Sequence, residues 1–307
     1  MQKCSNLWNK INRPKSSEEI MAILGSQLKY PVITRWNSLY DSIEDVIKHK
    51  SKINDLCKKF GTQNIFDVDF EYLEEFLMLM KPVAEALDFL QKEKQMLYGF
   101  LLPTLATVRN KFRKIKTSNA LKVIPADMIG KFEDALLERF TNHFNLTPEV
   151  HDAIVASVLC PSIKLKWITA LNPDFREMKI VEISSLVRQK INAEVKTATI
   201  PEETPEISYF DFSASDAIEN GSNCNFTGAG GDEFDSYLAQ TSTSFEMLNK
   251  YPALKKTFLR YNTALPSSAA VERLFSFAGM LNAPRRGSLS DSNFQKLLIL
   301  KVNGDFE

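Results

Sequence analysis

The densest run of chemically capable side chains lies between Arg109 and Lys116. Five of these eight residues are basic: Arg109, Lys111, Arg113, Lys114 and Lys116. Phe112 and Ile115 interleave with them at a spacing that turns both to the opposite side of a helix. A helix of this kind can follow a row of phosphates by electrostatics alone, although an ordinary solvated face has the same composition. Arg285-Arg286 is a smaller cationic pair. Asp41 and Asp45 stand one helical turn apart on a shared face, a pairing that surface helices commonly carry in plain solvated form. The four cysteines, Cys4, Cys57, Cys160 and Cys224, are widely separated, with no CxxC pair and no His pair at ligand spacing. They offer no pattern for a zinc site and fit free thiols in a reducing, intracellular compartment.

These groups need a scaffold, and the apolar spacing predicts a helical one. Ser16-Ser17-Glu18-Glu19 reads as a capping box opening a helix that runs to about Leu28, with Gly25 a weak point. Tyr30 to Trp36 reads as extended around Pro31. Asn37 or Ser38 caps a second helix with Leu39, Ile43, Val46 and Ile47 on its inner face. A third runs from about Phe70 to Gln95 and should kink at Pro82. Further helices carry Leu105, Val108, Phe112 and Ile115; Met128, Phe132, Leu136 and Phe140; Val150, Ile154, Val155 and Val158; and Met178, Val181, Val187 and Ile191. No alternating pattern lasts long enough to build a sheet. The expected fold is therefore mainly α.

The chain has 307 residues, 44% apolar and 25% charged, with net charge zero. That neutrality hides an asymmetry: Thr197 to Asn249 holds ten acidic residues and no Lys or Arg, so the remainder is net +10. Such a division suits a polyanionic partner or a solvated linker beside ordinary surface lysines. No apolar run approaches the ~18–20 residues that span a bilayer, and the first residues lack the apolar core of a secretory signal. Neither a membrane nor a small-molecule substrate is expected. Pro201, Pro205 and Gly228 to Gly231 bracket small and acidic residues of linker composition. The expected organisation is a helical region over 1–196, an acidic flexible linker over 197–244 and a terminal helical region over 245–307. In the last, Val271, Leu274, Phe275, Ala278 and Leu281 share one helix face, and Phe294, Leu297, Leu298 and Val302 another. Ser267 or Ser268 caps the first of these helices and Ser290 the second. Two such faces need a partner surface, either the preceding body or another chain.

Several blocks resemble the hAT family of DNA transposases. Thr34-Arg35-Trp36-Asn37-Ser38 resembles its TRWNS element. Leu101-Leu102-Pro103-Thr104-Leu105 resembles a motif of its helical insertion domain. Ala156 to Ile168 resembles a block built around Asp-Pro-x-Phe-Lys, with Cys160 in place of the aspartate and Ile163 in place of the phenylalanine. The best match is Tyr251 to Asn303, centred on Val271-Glu272-Arg273-Leu274-Phe275-Ser276, which resembles the family's C-terminal dimerisation region. Apart from the linker, the resemblance covers nearly the whole chain.

The resemblance implies a ribonuclease-H-like core holding two divalent metals on two aspartates and a glutamate, for cut-and-paste cleavage of phosphodiesters. Glu272 matches the glutamate. The aspartates lie upstream of TRW in the family, and the 33 residues before Thr34 contain Glu18 and Glu19 but no aspartate. The family's zinc-finger module has no counterpart either. The implied protein is therefore transposon-derived and non-catalytic, with Glu272 a remnant and a truncated core lacking most of its sheet, its C-terminal helices docked on the helical body. It associates with itself, or with another hAT-derived protein, through anchors among Leu254, Phe258, Leu274, Phe275, Phe277, Phe294, Leu297 and Leu298. DNA is a further implied partner, through Arg35, Trp36 and the Arg109–Lys116 helix, and the implied location is the nucleus. No metal or cofactor is expected on this reading. The alternative is a fragment of a functional transposase, which would use Mg2+ or Mn2+.

Overall fold

Cys4, Leu7, Trp8 and Ile11 recur at i, i+3, i+4 and i+7, and all four are buried on one face of helix α1 (Gln2–Ile11). Helices α2 (Ser16–Leu24), α3 (Asn37–Lys48), α4 (Ile53–Lys59) and α5 (Asp67–Leu90) follow. The computed structural model describes residues 1–13, 16–32, 37–92, 96–125, 127–172, 175, 177–197, 229–282 and 289–304. Among them the regular structure is helical, with no strand. The protein is mainly α, and the described residues supply no sheet of the ribonuclease-H kind. Of the segment expected to be extended, Tyr30 to Val32 are described and are not helical, and both the N–H and the carbonyl of Val32 bond to the Ser38 hydroxyl, at 2.9 and 2.8 Å.

The chain divides into two compact units. The first comprises Met1–Met96, Thr104–Phe144 and Leu265–Glu307. Its larger core joins α1 to α5 through Leu7, Ile43, Val46, Ile53, Leu56 and Phe70. A smaller core brings Leu79 of α5 against Val108 and Phe112 of α6 (Leu101–Ser118) and Ile129 of α7 (Asp127–Arg139). Between α6 and α7 the backbone is held by Glu75 of α5. Its buried carboxylate accepts the N–H groups of Lys122, Val123 and Ile124 at 2.6 to 3.0 Å. Helix α2 stops at Leu24, short of the expected Leu28, because Gly25 takes φ +78°, a turn conformation that excludes further helix. Helix α5 runs uninterrupted through Pro82 to Leu90, short of the expected Gln95, which lies outside the described residues.

The second unit comprises Leu97–Pro103 and Asn145–Ala264, so the division falls within α6 and within α8 (Thr141–Asn145). It holds α9 (His151–Val158), α10 (Ile168–Leu171), α11 (Glu177–Thr197), α12 (Ala229–Ala239) and α13 (Pro252–Asn262). At its centre, a helical turn over Tyr98–Phe100 presses against α9. A methyl group on Gly99 would lie 2.3 Å from the Ala156 carbonyl oxygen and 2.7 Å from Cys160 Sγ, so the approach admits only glycine. The Asn262 side chain closes the contact. Its Oδ1 accepts the Gly99 N–H at 2.9 Å and its Nδ2 donates to the Ala156 carbonyl at 3.2 Å.

Helix α12 corrects the expected linker, whose residues 198–228 lie outside the described residues. Phe234 and Tyr237, one turn apart, are fully buried, and the Tyr237 hydroxyl donates to the Val158 carbonyl at 3.0 Å. Lys164 supplies the C-terminal cap: its ammonium donates to the carbonyls of Tyr237 at 2.8 Å and of Gln240. The expected terminal region is likewise divided. Its residues 245–264 belong to the second unit, whereas α14 (Ala269–Leu281) and α15 (Asp291–Asn303) belong to the first.

Candidate interaction surface

Helices α14 and α15 pack on each other, yet neither contributes a single buried residue. The reason lies in their composition. Helix α14 is apolar on more than one side: Phe277, Ala278 and Leu281 are half-buried, while Val271, Leu274, Phe275 and Met280 face outward. Phe275 is 70% exposed and Met280 60%. On α15, Phe294 and Leu298 are half-buried, and Leu297, Ile299, Leu300 and Val302 are exposed. Arg273 fastens α14 to the end of α5, where its Nη2 donates to the Gln91 carbonyl at 3.0 Å. Ser290 caps α15 as expected, its hydroxyl accepting the Asn293 N–H at 3.4 Å; of the two serines expected at the start of α14, Ser267 accepts the Ala269 N–H at 3.1 Å and Ser268 makes no side-chain cap.

The eight expected anchors therefore separate. Leu254 is wholly buried and Phe258 nearly so; both serve the core of the second unit, because α13 packs against α9 and α11. They cannot present themselves to another chain. Leu274, Phe275 and Leu297 are exposed, and Phe277, Phe294 and Leu298 are half-buried. Val271, Met280, Ile299, Leu300 and Val302 join the exposed set without having been singled out as anchors. Met280, Ile299 and Leu300 are apolar residues outside the stripe of their own helix, whereas Val271 and Val302 lie on it.

The basic run on α6 is largely engaged inside the first unit. Arg109 Nε and Arg113 Nε both donate to Glu133 Oε1 at 3.2 Å, and the Arg109 guanidinium lies over the Phe144 ring. Lys111 pairs with Glu85, whose carboxyl it holds below the usual range. Lys114 and Lys116 are exposed. Arg35, Trp36 and Arg285-Arg286 lie outside the described residues.

Glu272 is exposed in the first turn of α14 and accepts a hydrogen bond from the Ser268 hydroxyl at 2.8 Å. Cys160 is buried, and burial pushes its thiol up to about 12; Sγ donates to the Ala156 carbonyl at 3.3 Å. Asp45 is not simply solvated: its Oδ2 accepts the Lys29 N–H at 2.8 Å. Among the described residues no cluster of three His, Cys, Asp or Glu side chains is placed to hold a metal ion, and no helix is long and apolar enough to cross a membrane.

No protein-family model matches the chain, and no curated protein is significantly similar to it.

Proposed function

We propose that this protein is a transposon-derived self-association module of the hAT type, without strand-transfer chemistry, whose contact with a second copy runs through α14 and α15. One observation carries this reading: two packed helices that together leave eight large apolar side chains exposed. Leu265 and the eight exposed apolar residues of α14 and α15 present on the order of 800 Å² of side-chain surface, one partner's share of a standard interface. Charge raises no obstacle to self-pairing, since α14 carries only Glu272 and Arg273 and α15 only Asp291, Lys296 and Lys301. The hAT resemblance of Tyr251–Asn303 supports the same assignment, and the nuclear location belongs to that resemblance.

Light scattering after size exclusion, across a concentration series, tests it. Wild type is expected above the monomer mass. Phe275→Asp is expected at the monomer mass and still cooperatively folded, because Phe275 has little packing to lose within its own chain, but its melt should no longer rise with protein concentration as that of an associating wild type does. A folded wild-type monomer at every concentration overturns the proposal. DNA contact, where it occurs, would rest on Lys114 and Lys116 together with Arg35 and Trp36, and would weaken steeply with added salt.

A further inference from the structure

The turn that ends α2 places a hydroxyl, an imidazole and a carboxylate in series. Ser26 Oγ lies 3.0 Å from His49 Nε2. His49 Nδ1 lies 2.8 Å from the Asp45 carbonyl, one turn earlier on α3, and 3.7 Å from Asp45 Oδ1. A carbonyl oxygen only accepts, so Nδ1 carries the ring proton and Nε2 of the neutral ring presents its lone pair to Ser26. This is the tautomer a general base requires. The base is also well fixed: the His49 and Asp45 side chains are 10% and 11% exposed, and the Lys29 N–H holds the second carboxylate oxygen.

Ser26, by contrast, is half-exposed, and it directly follows the positive-φ Gly25. The Gln27 side chain ties the same turn back to Ser17 at 2.7 Å. The backbone N–H groups of Ser26 and Gln27 have no acceptor among the described residues. Bracing alone would need only one hydrogen bond to the ring. Here the ring's tautomer and a reachable hydroxyl coincide at one turn.

We propose that Ser26, with His49 as base and Asp45 as its orienting group, is an activated nucleophile that cleaves small carboxylic esters. Ser26 Oγ attacks the carbonyl carbon and passes its proton to His49 Nε2. The tetrahedral intermediate collapses with breakage of the bond to the leaving alcohol, which takes that proton. Water then adds to the acyl group with His49 as base again, and the Oγ–C bond breaks as Oγ regains its proton. Because the hydroxyl sits on a half-exposed turn, the substrates are small esters with good leaving groups. This site is separate from the α14–α15 surface and does not depend on it.

The test is to treat the full chain with a fluorophosphonate probe and with p-nitrophenyl acetate, and to locate the label by mass spectrometry. Label is expected on Ser26 and not on Ser17, an exposed hydroxyl at the start of α2. Ser26→Ala should abolish labelling and ester cleavage. His49→Gln should lower both by about 100-fold or more, the usual contribution of a general base. Asp45→Asn should lower them less, since the backbone carbonyl still sets the tautomer. Circular dichroism establishes that each variant is folded. A folded wild type that leaves Ser26 unlabelled overturns the proposal, as does a folded His49→Gln protein that labels within a few-fold of wild type. Should His49→Gln not fold, an unchanged rate in Asp45→Asn overturns it instead.

Discussion

Glu75 shows how one carboxylate can order a connection. Burial alone would raise its pKa, but the N–H groups of Ile124, Lys122 and Val123 more than offset this and hold it below the ordinary carboxylate range. In the unfolded chain a glutamate titrates near ~4.3. Below that value the unfolded state binds more protons, so Glu75 stabilises the fold fully above ~4.3 and loses its effect as pH falls through the lower folded value. Glu75→Gln is expected to cost about 2 kcal/mol at pH 7 and to flatten stability below pH ~4.3, checked by urea denaturation at a series of pH values. Gly99→Ala tests a different residue-scale constraint. Its methyl group would collide with the Ala156 backbone, which cannot swing aside, so about 3 kcal/mol of stability should be lost. Trp167, buried in the same unit, reports this by fluorescence during denaturation. Neither residue is legible in the sequence. The amides that Glu75 binds lie 47 to 49 residues away, and Asn262 meets Gly99 across 163 residues, far beyond the reach of any local pattern.

At the scale of elements, apolar spacing reads well where one face meets one core. Leu39, Ile43, Val46 and Ile47 pack where the pattern of α3 places them. It misleads where a helix enters its core late: on α11, Met178 and Val181 fit the stripe yet are exposed, while Ile183, Val187 and Ile191 are buried. Helix α12 escapes notice because glycines open it and acids surround Phe234 and Tyr237; Lys164 and the Arg188–Asp235 pair supply what its own composition lacks. The same periodicity describes α13 and α14, but only packing distinguishes core from surface. Leu254→Asp on α13 buries a carboxylate without a partner and should unfold the second unit, at a cost above about 4 kcal/mol. Phe275→Asp on α14 should leave the chain folded, losing only the concentration dependence of the melt. Thermal denaturation of the two variants side by side checks the distinction.

At the scale of the whole molecule, the two units are woven through the sequence rather than joined end to end. The place to divide the chain experimentally is therefore Ala264, not the end of the acidic segment. A chain ending at Ala264 keeps Leu254, Phe258 and Asn262 and should retain hydrogen-exchange protection in α9 while losing association. A chain ending at Gln240 lacks α13 and should lose that protection. The same weave governs the order of birth. As the chain leaves the ribosome, Gly99 emerges 163 residues before the asparagine that completes its contact. The cleft beside α9 must wait, its apolar walls unsealed, through the synthesis of the acidic stretch. Closing so long a loop is slow, and the exposed intermediate is the state most prone to aggregate. A chain built this way folds its second unit late, and its acidic middle is what passes through the exit tunnel while the apolar partners stand open.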